Sequence, residues 1–237
     1  MEILNENGRL TANRDNWTLK EIVIGQLKAT GILPAMKLKK KADFMAWAQA
    51  LYEGGARVIE ITMTTPGVLE AIEAISSEFK GKLWVVSGTT LDATSAREVI
   101  LHGGSGIVNP CLIPEVIDLA RRYGVPVFSG AFTATEVFTT WRAGADVIKI
   151  FPGQLGGPKY MTNLKMVFPE VDLCPSGGLS LETAGEFIRC GACAVSGARN
   201  FVDAEQIERH GTGWISEQCR RYLQIVREAR ASAPELP

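Results

Sequence analysis

From residue 32 to residue 196 the sequence alternates between short apolar runs of strand type and longer stretches with helical spacing. The expected strands are Ile32–Leu38, Val58–Thr62, Leu83–Ser87, Gly106–Asn109, Val125–Ser129, Val147–Ile150, Val171–Cys174 and Ala192–Ser196. Helical patterns lie between them at Asp43–Glu53, Pro66–Phe79, Ala93–Leu101, Pro114–Tyr123, Ala134–Ala143, Pro158–Val167 and Leu181–Arg189, with a last helix expected from Gly213 to Ala229. Glycines such as Gly124 and Gly144 fall just past helix ends, where a left-handed cap is needed. Eight strands with eight following helices predict an α/β fold, a single (β/α)8 TIM barrel. A doubly wound open sheet is the competing fold. Its mark is a Gly-rich loop after the first strand, and here that position reads Lys39-Lys40-Lys41-Ala42-Asp43. Residues 1–30 read as an N-terminal extension and lid helix, with polar, loosely held residues 1–15 and helical spacing over Trp17–Leu27. Residues 31–237 read as the barrel.

The sixth strand carries a lysine among apolar neighbours, Val147-Ile148-Lys149-Ile150, and Phe151-Pro152-Gly153 then ends it. Strand alternation sends Ile148 and Ile150 to one face and Val147 and Lys149 to the other. If the isoleucines meet the helices, Lys149 points into the barrel near its C-terminal mouth. A lysine held in a dry lumen is a candidate to work as an amine. By the same parity Glu60 and Thr62 of the second strand and Lys37 of the first point inward. The second and sixth strands face each other across an eight-stranded barrel, so Glu60 and Lys149 can meet on its axis.

The motifs fall in a recognisable order: Gly54-Gly55-Ala56-Arg57-Val58-Ile59-Glu60-Ile61-Thr62, Ser87-Gly88-Thr89-Thr90, Ile107-Val108-Asn109-Pro110, Gly130-Ala131-Phe132-Thr133-Ala134-Thr135-Glu136, Lys149-Ile150-Phe151-Pro152-Gly153 and Pro175-Ser176-Gly177-Gly178. Each alone is weak, but the ordered set over roughly residues 30–200 is specific. The chain resembles the aldolases of 2-keto-3-deoxy-6-phosphogluconate (KDPG) and 4-hydroxy-2-oxoglutarate (KHG). The resemblance implies a class I aldolase in which Lys149 forms the Schiff base and Glu60 shuttles protons. Thr89, Lys37, Pro110 and Phe151 are then expected at the substrate, with Thr89 and Lys37 as candidate donors to its carboxylate. It also implies a homotrimer and a cytoplasmic enzyme that needs no cofactor. Departures from the family concern the substrate more than the bond cleavage. Lys37 stands where many members have arginine, Ser129 where many have proline, and Gln154 where many have glutamate.

Loops after the seventh and eighth barrel strands often bind phosphate through backbone amides. Here they supply Ser176, Gly177 and Gly178, and Ser196, Gly197 and Ala198. The bland reading is a pair of tight turns. A phosphorylated keto acid is therefore the expected small-molecule partner, with KDPG cleaved to pyruvate and glyceraldehyde 3-phosphate. The alternatives are the 6-phosphogalactonate analogue or 4-hydroxy-2-oxoglutarate by the same mechanism, or a non-catalytic phosphosugar-binding barrel.

Composition excludes other classes. With 25 basic and 26 acidic residues the net charge is −1, which offers no field for nucleic acid or an anionic membrane. The cluster Lys37-Leu38-Lys39-Lys40-Lys41 reads as a strand end and loop. Two histidines, His102 and His210, provide no metal-ligand pair. Cys190 and Cys193 make a C-x-x-C that lies at a helix-to-strand turn and reads as accidental. The five cysteines are odd in number and scattered, as in a reducing compartment.

Overall fold

The computed structural model describes residues 3–4, 10–11, 17–37 and 43–233. Two short strands, β1 (Ile3–Leu4) and β2 (Leu10–Thr11), pair antiparallel near the N-terminus, in a stretch expected to be loosely held. Helix α1 (Leu19–Thr30) follows. Eight parallel strands then form one sheet: β3 (Ile32–Met36), β4 (Val58–Thr62), β5 (Trp84–Gly88), β6 (Gly106–Val108), β7 (Val127–Ala131), β8 (Val147–Ile150), β9 (Leu173–Pro175) and β10 (Val195–Gly197). Neighbours pair in sequence order from β3 to β9, and β10 pairs with β3. One bridge, Ser176 to Ser196, joins β9 to β10. The sheet is thus a nearly closed barrel, and the open-sheet alternative is discarded.

The barrel strands alternate with helices α2 (Phe44–Glu53), α3 (Val68–Glu78), α4 (Ala93–Leu101), α5 (Pro114–Tyr123), α6 (Ala134–Arg142), α7 (Gly153–Val167) and α8 (Leu181–Arg189). Two more, α9 (Ala204–His210) and α10 (Gly213–Ala231), follow β10. Three strands begin two or three residues later than the apolar pattern indicates. Val125, Val171 and Ala192 are buried, but their amides bond back to Ala120, Phe168 and Phe187. These residues seal the helix-to-strand turns before pairing starts. Helix α7 breaks at Gly157, whose φ is 68° and ψ 178°, just ahead of Pro158. The expected helix from Pro158 is its second part. Helix α9 has no buried residue and so leaves no apolar stripe to find.

Two apolar layers result from strand alternation. Outward residues such as Ile59, Ile61, Val85, Ile148 and Ile150 pack with the helices. Inward residues, including Val58, Trp84, Val86, Val108, Phe128, Val147 and Cys174, fill the lumen. Ile22, Val23 and Leu27 of α1 join this inner cluster, so the helix plugs the N-terminal end. Thr18 and Glu21 form a capping box that fixes where α1 starts. With the bottom filled by these side chains, the functional groups are expected at the C-terminal mouth. There is no helix among the described residues long and apolar enough to cross a membrane.

Candidate active site

Strands β4 and β8 are four places apart in the eight-stranded order, which sets them on opposite walls. Lys149 and Glu60 meet between them, with Lys149 Nζ 3.6 Å from Glu60 Oε2. Their side chains are 12% and 3% exposed. Glu60 Oε2 has no hydrogen-bond partner among the described residues, which leaves a lone pair directed at the amine's surroundings. Beneath them lie apolar side chains of the inner cluster. Cys174 is the register neighbour of Lys149, and burial holds its thiol well above the ordinary range, so it stays neutral. The pair therefore sits above an apolar layer of the lumen, an amine facing a carboxylic group.

The rim of this pocket comes from the strand ends. Phe151 is exposed, and its ring centroid lies 5.8 Å from Lys149 Nζ. It is followed by a cis bond to Pro152. Pro110 and Phe151 both line a cavity of about 370 Å³ beside the rim. Thr89 is half-buried and has φ 59°, the only positive value for a non-glycine among the described residues. That conformation is costly for a β-branched residue, and bonds on either side hold it. Gly88 O accepts from the Met63 amide (2.7 Å), and the Thr90 amide donates to Val108 O (3.2 Å). The Thr90 hydroxyl pairs with Ser87 Oγ at 2.6 Å, which turns it away from the lumen as its parity predicts. Lys37 was expected to point inward and lies just past the end of its strand. Strand β3 ends at Met36, and Lys37 is exposed. It makes no ion pair with Glu60 or any other described residue.

The six residues expected to bind phosphate gather at the ends of β9 and β10, joined by the Ser176–Ser196 bridge; Ser196 and Gly197 lie within β10 itself and not on the loop after it, because the strand runs to Gly197. Gly177 (φ 87°) and Gly178 (φ 68°) are left-handed. Ser176 and Ser196 are buried, and Ser196 Oγ has no partner among the described residues. The Ser176 amide is engaged by Ile150 O (3.0 Å). Helix α7 offers no open N-terminus here, because its Gly153 and Gln154 amides donate to Ser176 O and Gly177 O. Ser180 caps α8. Arg199 pairs with Asp203 at 3.2 Å and is 84% exposed, a solvated surface pair. Among the described residues no group of three or more His, Cys, Asp or Glu is arranged to hold a metal ion.

A parallel barrel with a lysine and a carboxylate facing each other at its C-terminal mouth defines an enzyme of the barrel class. Residues 23–217 match the family model for KDPG and KHG aldolase, and the chain belongs to that family. It is an aldolase, a carbon–carbon lyase. A 2-dehydro-3-deoxy-phosphogluconate aldolase of Treponema pallidum is 30% identical over 201 residues, 84% of this chain and 95% of that protein. A 2-dehydro-3-deoxy-6-phosphogalactonate aldolase of Escherichia coli is 31% identical over 190 residues, 79% of this chain and 90% of that protein. Among solved structures, a KDPG aldolase from Legionella pneumophila, with pyruvate captured at low pH as a covalent carbinolamine intermediate, superposes with a TM-score of 0.77. It is 25% identical, and the match covers 83% of this chain and 96% of that one.

Proposed function

We propose that the chain is a class I aldolase that cleaves KDPG to pyruvate and glyceraldehyde 3-phosphate through a Schiff base on Lys149. The observation that carries this reading is the largely enclosed Lys149 Nζ at 3.6 Å from Glu60 Oε2. The neutral amine attacks the substrate ketone carbon, and loss of water gives an iminium. Glu60 takes the proton from the hydroxyl two carbons away, directly or through one water. The bond between that carbon and the intervening methylene carbon breaks, and its electron pair flows into the iminium. The aldehyde leaves and an enamine remains. Glu60 returns the proton to the methylene carbon, and hydrolysis releases pyruvate and frees Lys149. Thr89 and Lys37 at the rim receive the substrate carboxylate, with Pro110 and Phe151 against its carbon chain. Ser176, Gly177, Gly178, Ser196, Gly197 and Ala198 receive the phosphate.

Treatment with pyruvate and borohydride tests this directly. The expected product is one reduced pyruvate adduct per chain, on Lys149, with loss of activity. A chain that stays unmodified by mass spectrometry overturns the reading. The likeness to the phosphogalactonate enzyme supports a second substrate reading with the same chemistry. Turnover on KDPG, its galactonate epimer and 4-hydroxy-2-oxoglutarate separates them. The family resemblance also supports a cytoplasmic homotrimer. All five cysteines are free, which fits a reducing compartment. Phe138 and Trp141 on α6 expose apolar surface for an interface. Light scattering at three times the 25.7 kDa chain mass checks the assembly.

A further inference from the structure

We infer that Gly88 is a positioning residue for Glu60, and that what the site needs from it is the missing side chain. Gly88 ends β5 in register with Thr62 of β4, two positions beyond the inward Val86. Its backbone is not in the left-handed region: it is absent from the positive-φ glycines. Nothing in the main chain there calls for glycine. A Cβ built on Gly88, however, would lie 2.6 Å from the Glu60 carboxyl carbon and 2.7 Å from its Cγ. The three nearest atoms all belong to Glu60. The carboxylate therefore occupies the volume a side chain at position 88 would fill. Its Oε1 rests against Gly88, and its Oε2 is thereby turned to Lys149.

The consequence rests on the Schiff-base reading. The three atoms that an alanine at position 88 would meet first all belong to the Glu60 side chain and none to the backbone, so the barrel can form with that side chain displaced. Glu60, 3% exposed in a packed lumen, has to swing out of line with the amine. Schiff-base formation needs Lys149; the proton transfers need Glu60 where it now stands. Gly88 thus acts on one half of the chemistry and leaves the other alone.

The test is Gly88→Ala, alone and combined with Glu60→Ala. Gly88→Ala is expected to fold, with an unfolding temperature lowered by the crowding, and to trap one pyruvate per chain with borohydride. Its turnover should fall about 100-fold or more, the size of a lost general acid–base group. Exchange of the pyruvate methyl protons in deuterated water, followed by NMR, should fall with it. In the Glu60→Ala background the same change should cost less than about twofold, because the group through which it acts is already gone. Wild-type turnover and exchange in Gly88→Ala, an equal loss in both backgrounds, or a variant that does not fold would each overturn the assignment. A wild-type chain that cannot be trapped overturns the Schiff-base reading itself, and the role of Gly88 with it. Trapping in the wild type with an unimpaired Gly88→Ala overturns the role of Gly88 alone.

Discussion

Glu60 and Lys149 each carry a charge-capable group into a lumen otherwise lined with Val58, Val86, Val108, Phe128 and Val147. A buried pair of this kind adds little to stability while intact, but removing one partner strands the other, at about 3–5 kcal/mol. Lys149→Ala should therefore lower the unfolding temperature clearly. Combining Lys149→Met with Glu60→Leu should recover most of that loss while leaving no activity. Calorimetry on the wild type and the two variants checks both statements. Glu60→Gln keeps the shape of the side chain and removes the base. Turnover should drop by about 100- to 10,000-fold, and mass spectrometry after borohydride treatment should still find pyruvate on the lysine. Both residues were legible in the sequence, because parity along a five-residue strand decides which wall a side chain joins. Gly88 was legible only as part of a motif. Its function is an absence of atoms, and which neighbour fills that space is known only once β4 and β5 are in register. Lys37 shows the opposite limit. Its parity was read along a strand that ends at Met36, one residue before it.

Among the elements, helices were easier to place than strand starts. Ala93–Leu101, Pro114–Tyr123 and Leu181–Arg189 coincide with the apolar spacing. Their ends are written in local chemistry: Asp92 accepts from the Ser95 amide, and Ser180 from Thr183. Strand starts were blurred because the sealing residues Val125, Val171 and Ala192 are as apolar as the strands. Helix α6 begins with a capping box of Thr133 and Glu136, and the Glu136 carboxylate also accepts from the Phe132 amide at 2.9 Å. The backbone bonds to Thr133 and Phe132 hold its carboxyl below the ordinary value of 4.5. A depressed carboxylate stabilises the fold above its unfolded-state value, and that contribution is lost as pH falls through the folded-state value. Glu136→Gln should therefore unfold at a lower temperature than the wild type at pH 7, and the gap should narrow as the pH falls below the ordinary value of 4.5. Thermal melts of both proteins across that range check the sign. Glu136 is exposed, so the effect is small.

At the scale of the molecule, the long helix α10 closes the outer ring by packing on α2 and α8. It comes closest at Gly54, where a Cβ would lie 2.5 Å from Cys219 Cβ and 2.9 Å from the Ser216 carbonyl. The second of these is backbone and cannot turn aside. Gly54→Val should cost about 1–3 kcal/mol, as overpacking does, without altering pyruvate trapping. Urea denaturation measures the first and mass spectrometry the second. The barrel as a whole was legible because the alternation of strand and helix leaves few ways to connect the pieces. How the cylinder shuts was not legible, since it depends on β9 and β10, which share little pairing. Their junction amounts to the Ser176–Ser196 bridge and one bond from the Cys193 amide to Leu173 O. A barrel with seven continuous joints and one thin one has its softest line along that junction. It runs from the plugged end up to the loops assigned to the phosphate. Deuterium should enter the amides flanking this line sooner than those of β4 or β5. A phosphorylated keto acid laid across it would act as a clasp, slowing that uptake while leaving the rest of the wall unchanged.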